Sequence, residues 1–272
     1  MKHTWEKTTE QIAQVFREIK EQKPLIHMLP NTVSAALCAD GLSALGARPL
    51  MAVDDREMQE IAEQSDASVV NLGQPSQEKM KAAEQLLKYA AGYGKPLVLD
   101  PVGCGASHFR LHEVQKLLAL PWKGIVKGNC SELYSIQQNQ LTREGIDAVE
   151  KRELSLKIPE GRLYFVTGQT DYMIWDGRKQ ELIRPCEIRK KNRYNIVGSG
   201  CLAGAVTGAC CSVTVRQRQE QAYALAVWAA SLGMAYALEQ AGRASGYGSA
   251  KTVLLDGLSH LAEPHFKEWL LQ

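Results

Sequence analysis

Apolar residues recur at helical spacing near the start of the chain. Ile12, Phe16 and Ile19 stand among charged neighbours and predict a helix over residues 4–22. Pro24 then opens a short apolar run, PLIHM, that reads as a strand. Residues 31–46 read as a helix, with Gly46 placed as a C-cap. PLMAV (49–53) is strand-like, and Asp54 or Asp55 is placed to cap a helix reaching about Gln64. ASVVNLG (67–73) reads as a strand and 76–92 as a strong helix ending near Gly92 and Gly94. KPLVLDPVG (95–103) is a buried strand running into a turn, followed by a helix around 111–119. KGIVKGN (123–129) is the next strand, and a helix starts at about 130.

Continuous apolar strands alternating with helices predict a parallel sheet covered on both faces. The pattern changes after about residue 160. RLYFVTG, DYMIWDG and KQELIRP read as three strands joined by turns, an antiparallel or mixed edge. Apolar helices fill 201–215 and about 219–240, and a last helix runs from roughly 249 to 262. With no repeat, low-complexity tract or linker, the expected architecture is one three-layer α/β/α domain spanning 1–272, with a mostly parallel central sheet.

Composition narrows the function classes. The chain has 272 residues, 45% hydrophobic and 23% charged, which excludes wholesale disorder and a fibrous repeat. The formal net charge is +2, so no broad electrostatic footprint for nucleic acid is expected. Seven cysteines without a C-x-x-C pair suggest neither a disulfide framework nor a zinc ribbon. The opening MKHTWEKTTE lacks the apolar core of a signal peptide, and a reducing cytoplasm is the expected compartment. Ala222 to Leu238 carries no charge and sits at the lower limit of a membrane span. Its alanine content, Ser231 and Gly233 favour a buried core helix, so no membrane is expected.

Ligands of open α/β sheets sit beyond the carboxyl ends of the strands. Asn31, Asn71, Gly73, Asp100, Lys127, Asn129, Glu132, Thr167 and Gly168 all fall at such ends. Strand ends also collect ordinary turn residues; their joint placement at one sheet edge favours a site. Gly198-Ser199-Gly200-Cys201 opens the apolar helix 201–215. A helix start with free N–H groups binds anions, and glycines let a phosphate approach closely. The alternative is a flexible lead-in to a helix whose small residues permit close packing. The run is neither a Walker A loop nor a dinucleotide fingerprint. Asp100 and Glu132 would suit Mg²⁺ beside a phosphate; equally, they would serve as unrelated caps, Glu132 facing a helix dipole.

The segments PLIHMLPNTV, DGLSALGARPLMA, DASVVNLG, KPLVLDPVGCGAS, VKGNCSEL, VTGQTDY and VGSGCLAGAV together resemble the hydroxyethylthiazole kinase family, in the ribokinase-like superfamily. The likeness runs from about Pro24 to Leu261. It implies a three-layer ribokinase-like fold, a homotrimer with sites at subunit interfaces, and ATP- and Mg²⁺-dependent phosphorylation of a primary alcohol. The implied substrate is 4-methyl-5-(2-hydroxyethyl)thiazole, in thiamin salvage. Matched position by position, Cys201 takes the place of the catalytic Asp of related kinases, and Gly198 to Cys201 form an anion hole. Met51, Gly198 and Asn31 match substrate positions, Lys127 and Thr167 nucleotide positions, and Asp100 and Glu132 the Mg²⁺ side, with Asn129-Cys130-Ser131-Glu132 as the N-x-x-E.

Three segments depart from the family pattern. Lys127 replaces an Arg and keeps the charge without the planar fork. Ser199 replaces a Thr, and Leu29-Pro30-Asn31 replaces Ile-Thr-Asn. Proline lacks an N–H and fixes φ, which would reshape that wall of the substrate pocket. Two alternatives follow: a copy that binds thiazole or nucleotide without turnover, or a kinase for another small heterocyclic alcohol. Cysteine at position 201 argues against the pyrimidine and pyridoxal kinases, which place Asp there.

Overall fold

The protein is described from a computed structural model covering residues 2–142, 161–175, 178–181, 194–215 and 222–272. Eight strands form one sheet: β1 (Leu25–Leu29), β2 (Arg48–Leu50), β3 (Ala67–Asn71), β4 (Leu97–Asp100), β5 (Gly124–Asn129), β6 (Arg162–Thr167), β7 (Tyr172–Trp175) and β8 (Arg178–Glu181). Their order across the sheet is β2-β1-β3-β4-β5-β6-β7-β8. The pairs from β2 to β6 are parallel, and β7 and β8 add antiparallel at the edge. The mixed edge expected from the change of pattern is therefore present. The last residues of the third predicted strand, 182–185, lie outside the described residues.

Ten helices are described: α1 (Lys2–Gln22), α2 (Ala35–Ala44), α3 (Met58–Gln64), α4 (Gln77–Gly92), α5 (His108–Leu118), α6 (Cys130–Gln138), α7 (Ser199–Thr214), α8 (Ala222–Gly242), α9 (Tyr247–Ser259) and α10 (Pro264–Leu270). They cover both faces of the sheet. Alternate strand residues feed two separate cores, because successive side chains point to opposite faces. Met28, Val69, Val98, Ile125 and Phe165 join one core, with α1, α2 and α7 to α10. Leu29, Val70, Leu99, Val126 and Val166 join the other, with α3 to α6. The long apolar helix α8 is mostly buried within the first core, as a core helix should be.

Several boundaries differ from the sequence reading. The predicted helix 31–46 begins only at Ala35, because Asn31 to Ser34 make a turn after Pro30. Gly46 lies just past its end at φ +90°, the conformation a C-cap glycine supplies. Asp54 accepts the Arg56 N–H and caps a short 3-10 turn, Asp55–Glu57, before α3 starts. Ser107 accepts the Arg110 N–H, so α5 starts three residues earlier than its apolar spacing indicated. The helix expected to be last ends at Ser259, and a further helix, α10, follows. Its Phe266 meets Phe16 and Tyr236 edge to face, each pair at 5.4 Å. Pro264 at its start is a usual first-turn residue, and that signal was available in the sequence.

Candidate active site

The chain runs from β1 out to β2 and then returns past β1 to β3. That reversal opens a crevice at the carboxyl ends of β1 and β3, the place where open α/β sheets bind ligands. Period-two alternation then selects a face. Asn71, Asp100, Lys127, Asn129 and Thr167 lie two or four residues beyond Val69, Val98, Ile125 and Phe165. They therefore emerge on the face covered by α7.

Lys127 and Asp100 form a buried pair, with Nζ to Oδ2 at 3.2 Å and side chains 4% and 1% exposed. Burial pushes the Asp100 carboxyl up to about 7; the Lys127 cation opposes this and Glu132 adds to it. Burial works against the Lys127 charge, but the Asp100 and Glu132 carboxylates outweigh it and hold the ammonium above its ordinary value. The other Asp100 oxygen, Oδ1, is buried without a hydrogen-bond partner. Glu132 caps its own helix. Its Oε2 accepts the Asn129 N–H at 2.8 Å while Asn129 Oδ1 accepts the Glu132 N–H at 2.8 Å, a capping box. Its Oε1 accepts the Gly103 N–H at 2.8 Å, joining the β4 and β5 ends.

Gly198 precedes α7 at φ +90°, and a side chain there would crowd Ser34 Cβ at 3.0 Å. Both facts require glycine. No side chain caps α7; the Ser199 N–H donates to the Ile196 carbonyl at 3.1 Å, and among the described residues the Gly200 and Cys201 amides are the open donors of the helix start. The helix then passes close over the strand ends. A Cβ on Gly204 would stand 3.1 Å from Asp100 Oδ2, and one on Gly208 would overlap Val69 at 2.4 Å. The small residues of α7 thus permit close packing, and the same closeness brings the helix start to the Asp100–Lys127 pair. The close packing expected of the small residues in this run is present.

Asn31 links the β1 end to this helix. Its Nδ2 donates to Asn71 Oδ1 at 2.8 Å and to Cys201 Sγ at 3.3 Å. Its Oδ1 accepts the Ser34 N–H at 3.1 Å, which fixes the amide the right way round. Gly73 leaves the room; a Cβ there would meet Asn31 Nδ2 at 2.8 Å. The six described cysteines are buried, and no disulfide joins any two of them. Burial pushes the Cys38 thiol up to about 12 and raises Cys210 and Cys211 as well, which suits packing roles.

A cavity of about 480 Å³ opens where these elements meet. Its lining includes Asp100, Lys127, Glu132, Thr167, Gly198, Ser199, Gly200 and Cys201. Asn31 touches it only through Cys201, and Met51 stands outside the lining, packed against the core beside β2. Thr167 Oγ1 is 3.4 Å from the Gly128 carbonyl. Sequence reasoning missed Asp171 and Ser231 on the far wall, where Ser231 Oγ donates to Asp171 Oδ2 at 2.6 Å. Asp171 also accepts the Gly168 N–H at 3.1 Å, and an Asp three residues after a strand-end Gly was the available signal.

Among solved structures, adenosine kinase from Schistosoma mansoni with 2-fluoroadenosine shares the fold, at TM-score 0.50 and 13% identity over 88% of this chain and 81% of that one. The likeness is one of fold: a mostly parallel sheet with helices on both faces. A structure of hydroxyethylthiazole kinase protein from Pyrococcus horikoshii OT3 aligns with TM-score 0.74 and 28% identity, covering 93% of this chain and 94% of that one. A hydroxyethylthiazole kinase of an Exiguobacterium species is 35% identical, over 92% of this chain and 94% of its own length. The corresponding protein of Exiguobacterium sibiricum is 31% identical over 93% and 98%. A sequence model of the Hydroxyethylthiazole kinase family matches residues 16–264. The chain belongs to that family and is a kinase of the ribokinase-like fold.

Proposed function

We propose that the chain transfers the terminal phosphoryl group of ATP to the primary alcohol of 4-methyl-5-(2-hydroxyethyl)thiazole, a thiamin-salvage step. The observation that carries this reading is the uncapped start of α7, with Cys201 in its first turn, opening on a cavity that also holds the Asp100–Lys127 pair. The alcohol oxygen attacks the terminal phosphorus, the bond to the ADP oxygen breaks, and the alcohol proton must leave. Phosphoryl transfer needs mainly positioning and charge stabilisation. The amides and dipole of the α7 start supply both to the phosphoryl oxygens. Gly198 to Cys201 would form this anion hole, with Lys127 the nearest fixed cation.

Cys201 would position the hydroxyl and take its proton late. A thiolate is a weak base toward an alkanol, so the sulfur acts after the oxygen–phosphorus bond has begun to form. Asn31 already donates to that sulfur, which keeps it aimed. Thr167 and Lys127 would contact the nucleotide, and apolar Phe165, Met234 and Leu238 offer a wall for its base. Gly198 and Asn31 would bound the thiazole side; Met51 keeps its place there by resemblance alone. Mg²⁺ fits the donor set, because Asp100 Oδ1 is a buried acceptor without a partner and Glu132 adds a carboxylate. When bound, the ion would neutralise charge on the phosphoryl oxygens.

In the same reading, residues 1–272 form one domain, and three cytoplasmic copies complete their sites at shared interfaces. Val33, Val53 and Val197 support this: they are 65%, 57% and 60% exposed and neighbour Asn31, Met51 and Gly198 in the chain. The test is ADP release with ATP, Mg²⁺ and hydroxyethylthiazole, with pyrimidine and pyridoxal alcohols alongside and sedimentation velocity on the same samples. Thiazole-dependent turnover abolished by a chelator supports the reading. ATP binding without turnover of any alcohol would overturn it in favour of a non-catalytic copy.

A further inference from the structure

The Pro30 bend and the turn after β3 are joined by a side chain that none of the motifs contains. Lys79, in the first turn of α4, reaches back across the crevice. Its Nζ donates to the Pro30 carbonyl at 2.6 Å and to the Gly73 carbonyl at 2.5 Å. Gln74 makes a second stitch between the same segments: its Oε1 accepts the Thr32 N–H at 2.9 Å and the Thr32 hydroxyl at 2.6 Å. Pro30 and Thr32 flank Asn31, and Gly73 and Gln74 follow Asn71. The stitches therefore hold both members of the Asn31–Asn71 hydrogen bond, and Asn31 holds Cys201. The Lys79 ammonium is half-buried, and burial pulls it down to about 8 despite the opposing influence of Cys201. An ammonium kept in that setting is doing more than covering a surface, and donation from a charged group is stronger than from a neutral one.

We infer that Lys79 is a positioning residue for the acceptor-alcohol side of the site: by tying the Pro30 bend to the Gly73 turn it holds the Asn31 amide against the Cys201 sulfur. This rests on the proposed function only for its kinetic consequence; the mechanical consequence stands without it. Lys79→Met keeps the length and removes all donors. Lys79→Arg keeps the charge and supplies donors enough for both carbonyls.

The mechanical readout is alkylation of Cys201 by iodoacetamide at pH 7, where Lys79 keeps its charge, followed by peptide mass mapping, with each rate divided by the thiolate fraction read from that variant's own pH–rate profile so that access is measured apart from ionisation. Lys79→Met should speed labelling by about fivefold or more, the loss of one charge-assisted tie, and Lys79→Arg should stay near wild type. Buried Cys210 and Cys211 are internal controls. Asn31→Ala should speed labelling similarly, and adding Lys79→Met to it should do nothing further, since one acts through the other. The kinetic readout is a split: the KM for the alcohol rises about tenfold in Lys79→Met and the KM for ATP stays within twofold. If Lys79→Met fails to fold, Lys79→Gln, which retains one donor pair, should label at an intermediate rate. Unchanged labelling, or effects of Lys79→Met and Asn31→Ala that simply add, would overturn the inference. A wild type that turns over no alcohol would sink the functional reading, while the labelling cycle still decides the role of Lys79.

Discussion

Lys127→Met should destabilise the protein in a way that depends on pH with a definite slope. The pair it breaks is buried, Nζ to Asp100 Oδ2 at 3.2 Å, and methionine matches the lysine stem in volume without supplying a charge. Removing one partner of a buried ion pair costs about 3–5 kcal/mol, because the other charge is left alone. Asp100 evades part of that cost by taking a proton. In the wild type its carboxyl, raised by burial and restrained by Lys127, ionises at about 7. Without the cation it ionises higher still, so between pH 7 and that higher value the variant holds one more proton than the wild type. One proton of difference corresponds to about 1.4 kcal/mol per pH unit. The stability gap should therefore be nearly flat below pH 7 and widen by about 1.4 kcal/mol for each unit above it. Urea unfolding followed by tryptophan fluorescence at pH 6, 7, 8 and 9 measures this directly. Asp100→Asn in the Lys127→Met background removes the titrating group and should flatten the curve. A gap that is independent of pH, or a slope that survives Asp100→Asn, would refute the assignment of this carboxyl as the partner.

Three further outcomes are expected. Gly198→Ala should lower stability by about 1–3 kcal/mol, read as a fall in unfolding midpoint, because the residue sits at φ +90° with Ser34 at contact. Cys201→Asp should keep or raise turnover and Cys201→Ala should lower it, at unchanged alcohol binding; a large loss with Asp would count against proton acceptance at this position. His27 is buried in β1 with Nε2 3.0 Å from the Ala52 carbonyl and Nδ1 unpartnered, and burial holds its imidazole down to about 4. The fold prefers the neutral ring, so this contribution is complete above pH 6.5 and is lost as pH falls from 6.5 toward 4, by about 3 kcal/mol. Stability measured from pH 7.5 to 4 should fall less in His27→Leu than in wild type, and parallel curves would exclude the histidine as the cause.

The order of elements was legible because buried parallel strands are short continuous apolar runs, and each is bounded by turn residues. VVN, LVLD and IVKGN announce both a strand and its polar end. Period two then told which side chains share a face, and Asp100, Lys127 and Thr167 do converge on one cavity. What stayed hidden depended on contacts between distant segments. Nothing local marks Glu132 as engaged by Gly103, 29 residues away, or shows that Lys127 is paired with Asp100 rather than open to solvent. Nothing local marks Lys79 either, because its partners are carbonyl groups, and backbone carbonyls have no residue signature. The start of α5 was missed for a simpler reason. Its first turn, beginning at His108, is exposed on one side, so the apolar period begins later than the helix does.

The departures from the family pattern bear on whether this is a working site or a decayed copy. A copy drifting free of its chemistry has no reason to keep charges buried or loops stitched, and such groups are costly when left unmatched. Here each departure that reshapes the site is met by a partner. Lys127, a departure by the sequence resemblance alone, is paired with Asp100 at the cavity edge. The bend made by Pro30 has its carbonyl taken by Lys79, and nearby Thr32 is held by Gln74. Asp100 still keeps one buried oxygen without a partner, a standing cost that packing alone would favour removing. A fold that tolerates that cost beside an uncapped helix start and a free cysteine is organised around something it binds.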